Sequence, residues 1–292
     1  MPVASVPTVV LEPTDGPKND EFMTEKIPRR IIQTDKSRDL PLLARAATVN
    51  LRLLNPDFEY LFFDDTQVEE FIDAEFPQYR SIFDSYSVRI QRYDLFRYLA
   101  VYRFGGFYFD TDVLLASPLD DLLGFGCVFP FEHLGIHRFL SKEYRMDWEV
   151  GNYAFGAAAG HPFLKAIIKN CVRAQQHPEW ADPMLNSIPR MFRSEHFVLA
   201  TTGPSLVSRT LAEYPGASEQ VKVLFPEDVC DQNSWHCFGA YGVHLLAGSW
   251  RGRERLVRRV LHRVWESRTR KTLLKESLKR GGKRALEFNS LS

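Results

Sequence analysis

Two carboxylates one residue apart follow a short aromatic segment in the middle of the chain. Residues 107–109, Phe-Tyr-Phe, come after Gly105 and Gly106 and are followed by Asp110 and Asp112. An aromatic run behind a double glycine is typical of a buried strand entered through a tight turn. Residues i and i+2 of an extended chain point the same way, so both carboxylates can converge on one cation. Such oxygen ligands suit Mg²⁺ or Mn²⁺, which usually bind together with substrate phosphates, and the motif therefore indicates chemistry on a nucleotide diphosphate.

The alternative for Asp110 and Asp112 is a solvated turn, in which Asp-x-Asp is common. The apolar strand and the double glycine in front of the motif favour the functional interpretation. In an α/β sheet, ligands bind outside the carboxyl ends of the strands. We therefore expect both aspartates to lie at that edge of a sheet.

A second pair of charges precedes the motif. Asp94 and Arg97 are three residues apart, so on a helix they lie on one face and can reach the same ligand. The surrounding residues are mostly apolar or aromatic, which predicts a largely buried helix whose charges need partners. A surface ion pair, which contributes little to stability, is the alternative.

The region from residue 92 to residue 114 resembles the DXD region of glycosyltransferase family 32. That family includes α-mannosyltransferases and is related to the large glucosylating toxins. Its pattern is a helix with Asp-x-x-Arg, then Gly-Gly, then a strand ending in Asp-x-Asp. The matching positions are Asp94, Arg97, Gly105, Gly106, Asp110 and Asp112. Weaker similarities follow in the family's order at residues 27–33, 55–65, 152–163, 202–204 and 244–250.

The resemblance implies an α/β fold of the GT-A type, a Rossmann-like mixed sheet flanked by helices, in residues 26–250. It also implies a metal-dependent glycosyltransferase that retains the anomeric configuration. Such an enzyme moves a hexose from a nucleotide-sugar donor, a UDP- or GDP-hexose, to a glycan or lipid-linked glycan acceptor, as in polysaccharide biosynthesis. The implied cofactor is Mn²⁺, with Mg²⁺ as the alternative.

Residue roles also follow from the resemblance. The implied catalytic residues are Asp94, Arg97, Asp110 and Asp112, of which Asp94 and Arg97 hold hydroxyls of the donor. The implied metal ligands are Asp110 and Asp112, completed by His244 or Ser249. The implied donor-binding residues are Gln33, Thr34, Asp64, Asp94, Arg97, Gly106, Asn152 and Trp250. A core histidine is the alternative for His244, and a simple turn is the alternative for Asn152.

Hydrophobic periodicity predicts alternating strands and helices, which favours one α/β domain. The predicted strands are residues 30–34, 59–63, 107–109, 127–131, 153–158, 221–225 and 242–246. The predicted helices are residues 39–54, 66–76, 88–104 and 162–174. Thr66 is the predicted N-cap of the second helix.

The composition is that of a soluble globular protein able to bury a large core: 292 residues, 45% hydrophobic, 25% charged and no net charge. The four cysteines show no Cys-x-x-Cys spacing, so they indicate neither a cysteine zinc site nor a disulfide framework. Free cysteines fit a reducing compartment best. The sequence shows no secretory signal and no apolar run near the ~18 residues of a membrane span. We therefore expect a cytoplasmic location, peripheral at the inner face of the membrane if the C-terminal tail binds lipid.

The two ends of the chain differ from the region between them. Residues 1–25 have no amphipathic period, and we expect a flexible arm. Residues 251–292 contain fourteen Lys or Arg and four Glu, a net charge of +10. A helical apolar stripe in this tail suggests either an anionic membrane surface or packing on the catalytic domain. The stripe consists of Val257, Val260, Leu261 and Val264, with Trp265 beside it. One Trp is no stacking platform, so we expect no nucleic-acid partner.

Two other functions compete with sugar transfer. The segment from Asp110 to Leu114 is faintly similar to the first motif of haloacid dehalogenase-like phosphatases, in which the first Asp is a nucleophile. Val113 and Leu114 stand where that motif has a small-residue turn and a Thr, and no Gly-Asp acidic pair follows downstream. The other competitor is a non-catalytic protein that binds nucleotide sugars or glycans, although every expected catalytic position is filled.

Overall fold

A computed structural model describes residues 27–186, 188–246 and 256–279 of the chain. The strands in these ranges are β1 (Arg30–Thr34), β2 (Glu59–Phe63), β3 (Gly106–Phe109), β4 (Val113–Leu115), β5 (Cys127–Leu134), β6 (Trp148–Val150), β7 (Ala154–Ala157), β8 (Lys222–Leu224) and β9 (Gly242–His244). The α-helices are α1 (Leu42–Leu54), α2 (Asp65–Glu75), α3 (Arg80–Ser85), α4 (Arg89–Phe104), α5 (Arg138–Glu143), α6 (Pro162–Gln176), α7 (Asp182–Leu185), α8 (Arg193–Thr201), α9 (Pro204–Glu213), α10 (Ala217–Gln220) and α11 (Leu256–Lys279). The predicted N-terminal arm, residues 1–25, lies outside the described residues.

Seven strands form one mixed sheet in the order β2-β1-β3-β7-β5-β6, with β8 paired to β5. Strand β1 runs parallel to β2 and β3, whereas β7 is antiparallel to both β3 and β5. Helices α4 and α6 contribute to the hydrophobic core on this sheet. The predicted α/β fold class, a Rossmann-like mixed sheet flanked by helices, is confirmed. Strands β4 and β9 form a separate two-stranded antiparallel sheet.

Strand β3 lies in the interior of the large sheet, and its aromatic side chains are buried on both faces. Phe107, Tyr108 and Phe109 are all at most 1% exposed. Gly106 has a φ of +106°, and a Cβ atom there would lie 2.6 Å from the backbone oxygen of Arg30 on β1. A glycine is required because the two strands approach closely at this point. The packing around β3 therefore fixes the direction in which the chain leaves the strand.

Most predicted elements are present, and the differences have local causes. Helix α1 begins at Leu42 and not at residue 39, because Pro41 has an extended ψ of 153° and the residue before a proline disfavours helix. The N-cap of α2 is Asp64, whose side chain forms a capping box with Gln67, so the predicted cap, Thr66, is wrong. Strands β4 and β6 and helices α3, α5 and α7 to α10 were not predicted, and most of them are short.

Helix α11 packs on the domain through a face that contains histidine and tryptophan. His262 is 5% exposed, its ring lies 4.6 Å from that of Phe192, and the ring of Trp265 stacks beside it. Leu261 and Val264 are 47% and 43% exposed. The predicted apolar stripe therefore does not face the domain at these two positions.

None of the described helices combines the length and the apolar composition needed to cross a bilayer. The side chains of Val257 and Val260, the other members of the predicted stripe, lie outside the described part of the chain.

Candidate active site

Three side chains with metal-binding chemistry converge where β3 ends. Asp110, Asp112 and His244 each offer one ligand atom, and these atoms all lie within 4.8 Å of one another. Nε2 of His244 is 3.3 Å from Oδ1 of Asp112. The side chains of the three residues are 15–27% exposed, so one side of the cluster remains open to a ligand. Two carboxylates and an imidazole form a donor set that suits a divalent transition metal such as Mn²⁺.

The small sheet brings His244 to the two aspartates. Strand β4 begins directly after Asp112, and its first residue, Val113, is the register partner of His244 on β9. The backbone N–H of Leu245 donates to the carbonyl oxygen of Asp112 at 2.9 Å. Residues far apart in sequence are thus held together by the β4–β9 pairing.

The surroundings of His244 favour a positive charge. Its ring stacks on that of Tyr153, with the centroids 4.3 Å apart. Burial by itself lowers the pKa of His244, but the hydrogen bond to Asp112 and the charges of Asp112 and Asp110 outweigh burial and raise that pKa above its usual value. The site therefore attracts cations, which is the electrostatic property that a metal centre needs.

Arg97 connects helix α4 to the end of β3. Its Nη1 lies 3.2 Å from Oδ1 of Asp110 and donates to the carbonyl oxygen of Asn152 at 2.9 Å. Its Nη2 lies 3.3 Å from Oδ1 of Asp94. Asp94 and Arg97 are both 4% exposed, so the surface ion pair considered for them is ruled out in this structure. Burial raises the pKa of Asp94 to about 6, although the charge of Arg97 acts to lower it.

Both carboxylate oxygens of Asp94 accept hydrogen bonds from neighbouring elements. Nδ2 of Asn152 donates to Oδ1 at 3.1 Å, and Oγ1 of Thr202 donates to Oδ2 at 2.8 Å. The hydroxyl of Tyr98 donates to the carbonyl oxygen of Thr202 at 2.8 Å. In this arrangement Asp94 positions Arg97, and the direct contact of Asp94 and Arg97 with donor hydroxyls stays a prediction.

Sequence reasoning did not assign roles to Thr202, Tyr108 and Asp35. Thr202 binds Asp94, and the hydroxyl of Tyr108 donates to Oδ1 of Asp110 at 2.7 Å. Asp35, directly after β1, accepts a hydrogen bond from Oγ1 of Thr111 at 2.9 Å. The position of Asp35 at the exit of a predicted strand was the signal available for it. The contact of Thr202 joins residues 108 positions apart, which local sequence patterns do not reveal.

Four of the predicted donor-binding residues lie in the framework around the site. Gln33 is fully buried, accepts hydrogen bonds from Thr48 and Tyr60, and donates through Nε2 to the carbonyl oxygen of Asp110 at 3.4 Å. It therefore supports the backbone of the motif in this conformation. Thr34 donates to the carbonyl oxygen of Phe63, Asp64 caps α2, and Gly106 lies against Arg30.

Two other predicted site residues, Ser249 and Trp250, lie outside the described residues. Of the alternatives for completing the metal site, His244 is the one that the described part of the chain brings to the aspartates. Asn152 is 8% exposed and bonded to Asp94, Tyr98 and Arg97, so it belongs to the hydrogen-bond network behind the motif.

Known proteins of sugar transfer are similar to this chain in sequence. Residues 41–129 match the family model described as a glycosyltransferase sugar-binding region containing a DXD motif. The chain is 28% identical over 243 residues to inositol phosphoceramide mannosyltransferase 3 of Schizosaccharomyces pombe, covering 77% of this chain and 60% of that relative. It is 28% identical over 188 residues to the mannosyl phosphorylinositol ceramide synthase SUR1 of Saccharomyces cerevisiae, covering 64% of this chain and 42% of that relative. The solved structure of the PaToxG glycosyltransferase aligns with a TM-score of 0.47 at 17% identity, over 66% of this chain and 72% of that one.

The resemblance to DXD-containing glycosyltransferases is thereby confirmed, and the chain is related to mannosyltransferases. It spans 60% or less of the length of these two relatives. DXD-containing glycosyltransferases generally use a divalent metal, and Asp110, Asp112 and His244 have the donor atoms to hold one.

Proposed function

We propose that this chain is a metal-dependent, retaining glycosyltransferase that moves a hexose from a nucleotide-sugar donor to a glycan or lipid-linked acceptor. The observation that carries the proposal is the convergence of Asp110, Asp112 and His244. The two aspartates lie within the matched sugar-binding region, and His244 comes from a later part of the chain. The buried bridge from Arg97 to Asp110 supports it, because a solvated turn needs no such anchor.

The chemistry divides between the bound cation and the residues that hold it. When bound, a divalent cation, Mn²⁺ in this proposal, neutralises the charge that develops on the leaving diphosphate. Asp110, Asp112 and His244 would hold it, and the imidazole would favour Mn²⁺ over Mg²⁺. Arg97 and Tyr108 fix Asp110, so that the ligand needs little reorganisation during the reaction.

In this proposal the anomeric configuration is retained because the acceptor attacks the same face of the sugar from which the diphosphate departs. The acceptor oxygen bonds to the anomeric carbon as the bond between that carbon and the phosphate oxygen breaks. The departing phosphate takes the proton of the acceptor hydroxyl. This route uses no covalent intermediate on the protein. Precise positioning of donor and acceptor then supplies most of the rate.

The names of the relatives narrow the substrates. One relative is named an inositol phosphoceramide mannosyltransferase, and the other a mannosyl phosphorylinositol ceramide synthase. We accordingly propose GDP-mannose as the donor, with a UDP-hexose as the alternative, and a lipid with a hydroxyl-bearing polar head group as the acceptor. A lipid acceptor requires that the site reach a membrane surface.

Helix α1, which contacts the strand that follows Asp112, has an exposed apolar face that suits such a surface. On helix α1, Leu42, Val49 and Leu53 form one outward stripe and are 74%, 50% and 74% exposed. Arg45 and Arg52 flank that stripe, and the helix contains no acidic residue. An apolar stripe beside cations is the pattern that binds anionic bilayers.

The two-stranded sheet that follows the aspartates also exposes apolar side chains. The N–H of Leu115 on β4 donates to the side chain of Asn50 on α1 at 2.9 Å, so the two elements are adjacent. Leu114 and Val243, paired across β4 and β9, are each 38% exposed. Because β4 starts directly after Asp112, a bilayer on this face would present its head groups near the proposed metal site.

Turnover of a nucleotide sugar tests the proposed function. We expect the purified protein to release nucleoside diphosphate from GDP-mannose in the presence of Mn²⁺ and an acceptor lipid, and not in EDTA. Asp112→Asn should lower that rate by roughly 100-fold or more. Asp73→Asn, a surface carboxylate paired with Arg80, is the matched control and should leave it unchanged. Wild-type rates in Asp112→Asn would refute the assignment of the site.

The same assay separates the competing functions. Metal-dependent binding of the donor without turnover would favour a non-catalytic binding protein. Release of phosphate from simple phosphate esters, without sugar transfer, would favour a phosphatase.

Sedimentation with vesicles that contain phosphatidylserine tests the membrane surface. The double substitution Leu42→Asp and Leu53→Asp should abolish binding, whereas Met191→Asp, at an apolar residue elsewhere that is 51% exposed, should not. A chain truncated before Arg251 measures the contribution of the basic tail. Unchanged vesicle binding by the double variant would refute the bilayer as the occupant of this face. So would a result in which the wild type self-associates without binding vesicles and the double variant no longer self-associates.

A further inference from the structure

A second cluster of metal-ligating side chains lies where helix α11 packs on helix α8. Nε2 of His196 and Nε2 of His262 are 3.1 Å apart, and Nε2 of His262 is 3.7 Å from Oε1 of Glu266. One ligand atom from each residue lies within 4.8 Å of the other two. Ligands bound tetrahedrally to Zn²⁺ at about 2.0–2.1 Å are separated by about 3.3 Å, so these spacings match a zinc site.

The two elements supply the ligands in a regular way. His262 and Glu266 are four residues apart on α11, and side chains at that spacing lie on the same face of a helix. His196 comes from α8 and faces them. Two ligands from one helix and a third from a neighbouring element leave one tetrahedral position for water.

The surroundings of His262 are those of a metal-bound imidazole. Oε2 of Glu195 lies 3.4 Å from Nδ1 of His262, on the side of the ring opposite to Nε2. A carboxylate in that place fixes the orientation of a ligating histidine and makes it a stronger ligand. The rings of Phe192 and Trp265 lie 4.6 and 5.9 Å from that of His262 and exclude water from this side.

Both histidines of the cluster are buried, which restricts what their ring nitrogens can bind. His196 is 1% exposed and His262 is 5% exposed. Two buried imidazole nitrogens 3.1 Å apart share either one proton or one metal ion, since two N–H groups facing each other would repel. The carboxylates of Glu195 and Glu266 add negative charge, and Arg270, at 4.0 Å from Oε1 of Glu266, offsets part of it.

We propose that His196, His262 and Glu266 bind a structural Zn²⁺ ion that fastens α11 to the catalytic domain. Nitrogen and carboxylate ligands in tetrahedral spacing suit Zn²⁺ better than Mg²⁺. The site is separate from the proposed catalytic cluster, because it shares no residue with Asp110, Asp112 and His244. It would make the position of the basic C-terminal segment depend on zinc.

Metal content and stability test the proposal without an activity assay. All proteins carry Asp112→Asn, so that the catalytic cluster does not contribute to the count. After treatment with a chelator and dialysis against low micromolar Zn²⁺, we expect about one zinc per chain by atomic absorption. Glu266→Gln and His262→Gln should lose this zinc, and Glu276→Gln, an exposed glutamate on the same helix, should keep it.

Cobalt gives a second readout. Co²⁺ in place of zinc should produce the intense visible absorption of a tetrahedral site, and Glu266→Gln should weaken or remove it. Zn²⁺ should also raise the melting temperature of the parent protein and have little effect on that of His262→Gln.

Three results would overturn the proposal. The first is less than one tenth of an equivalent of zinc in the parent protein. The second is equal zinc content in the parent and in Glu266→Gln. The third is a melting temperature of the parent that does not respond to stoichiometric Zn²⁺, a measurement that needs no variant to fold. Any of these results would show that His196 and His262 form a hydrogen-bonded pair without a metal ion.

Discussion

Arg97 on helix α4 and Asp110 at the end of β3 are joined by an ion pair with 3.2 Å between Nη1 and Oδ1. The same guanidinium contacts Asp94 and the carbonyl oxygen of Asn152. Burial lowers the pKa of Arg97, but the charge of Asp110 and the other acidic neighbours outweigh it, so the arginine stays charged. The orientation of one proposed metal ligand thus depends on a residue thirteen positions earlier in the chain.

Replacement of that arginine should impair catalysis more than it impairs folding. We expect Arg97→Lys to lower kcat/KM by at least about tenfold, because an ammonium group cannot bridge three acceptors in the planar arrangement of a guanidinium. Unfolding in urea reports the accompanying loss of stability. Arg103→Lys, which alters an exposed pair with Glu75, is the control and should behave like the wild type. An Arg97→Lys enzyme with normal kcat/KM would show that the bridge has no role.

Gly106 should tolerate no side chain. Its φ of +106° disfavours an L-residue, and a Cβ would meet the backbone oxygen of Arg30 at 2.6 Å. We expect Gly106→Ala to lower the free energy of unfolding by more than about 1 kcal/mol, measured by urea denaturation. Gly124→Ala, where a Cβ meets no atom within 4 Å, is the control. Equal stability of the two variants would contradict the close approach of β1 and β3.

His244 should contribute to metal affinity. Loss of the imidazole removes one donor from the cluster, so we expect His244→Ala to weaken Mn²⁺ binding by at least the roughly 10- to 100-fold that loss of a supporting partner produces. The affinity is measured by titration of Mn²⁺ in the presence of GDP. His177→Ala, an exposed histidine, should bind Mn²⁺ normally. Unchanged Mn²⁺ affinity in His244→Ala would show that His244 is a core histidine and not a metal ligand.

Asp94 should make stability depend on pH. Burial raises its pKa in the folded protein to about 6, whereas the unfolded chain ionises it near its usual value of about 4. Between these values the folded state binds more protons, so this group favours folding at low pH and its contribution is lost as pH rises through 6. We expect the free energy of unfolding of the wild type relative to Asp94→Asn to fall by on the order of 2 kcal/mol between pH 4 and pH 7. A difference that stays constant over this range would contradict the raised pKa.

Local patterns in the sequence identified the elements that carry the motif. Strands β1 and β2 were predicted with the bounds that the structure shows, because short apolar segments between polar turns mark them clearly. Helix α4 differs from its prediction by one residue at its start. The double glycine and the aromatic residues after it located β3 for the same local reason.

Other features depend on contacts that no local pattern contains. Helix α9 is buried at every position from Ser205 to Leu211, its polar residues included, because neighbouring elements cover both of its faces, and the sequence alone does not show that burial. Thr202 reaches Asp94 through the fold and not through sequence spacing. The sequence left the C-terminal tail open between a membrane surface and packing on the catalytic domain, and His262 in this tail is buried against α8.

Electron paramagnetic resonance of Mn²⁺ tests the central claim most directly, because it counts free and bound ion in solution. Titration of the wild-type protein with Mn²⁺ and GDP or UDP should show one bound ion per chain whose affinity rises with the nucleoside diphosphate, and this ion should be lost in Asp112→Asn. Equal binding of Mn²⁺ by the wild type and Asp112→Asn, with no response to either nucleotide, would contradict the assignment of Asp110, Asp112 and His244 as the metal site of a sugar transferase.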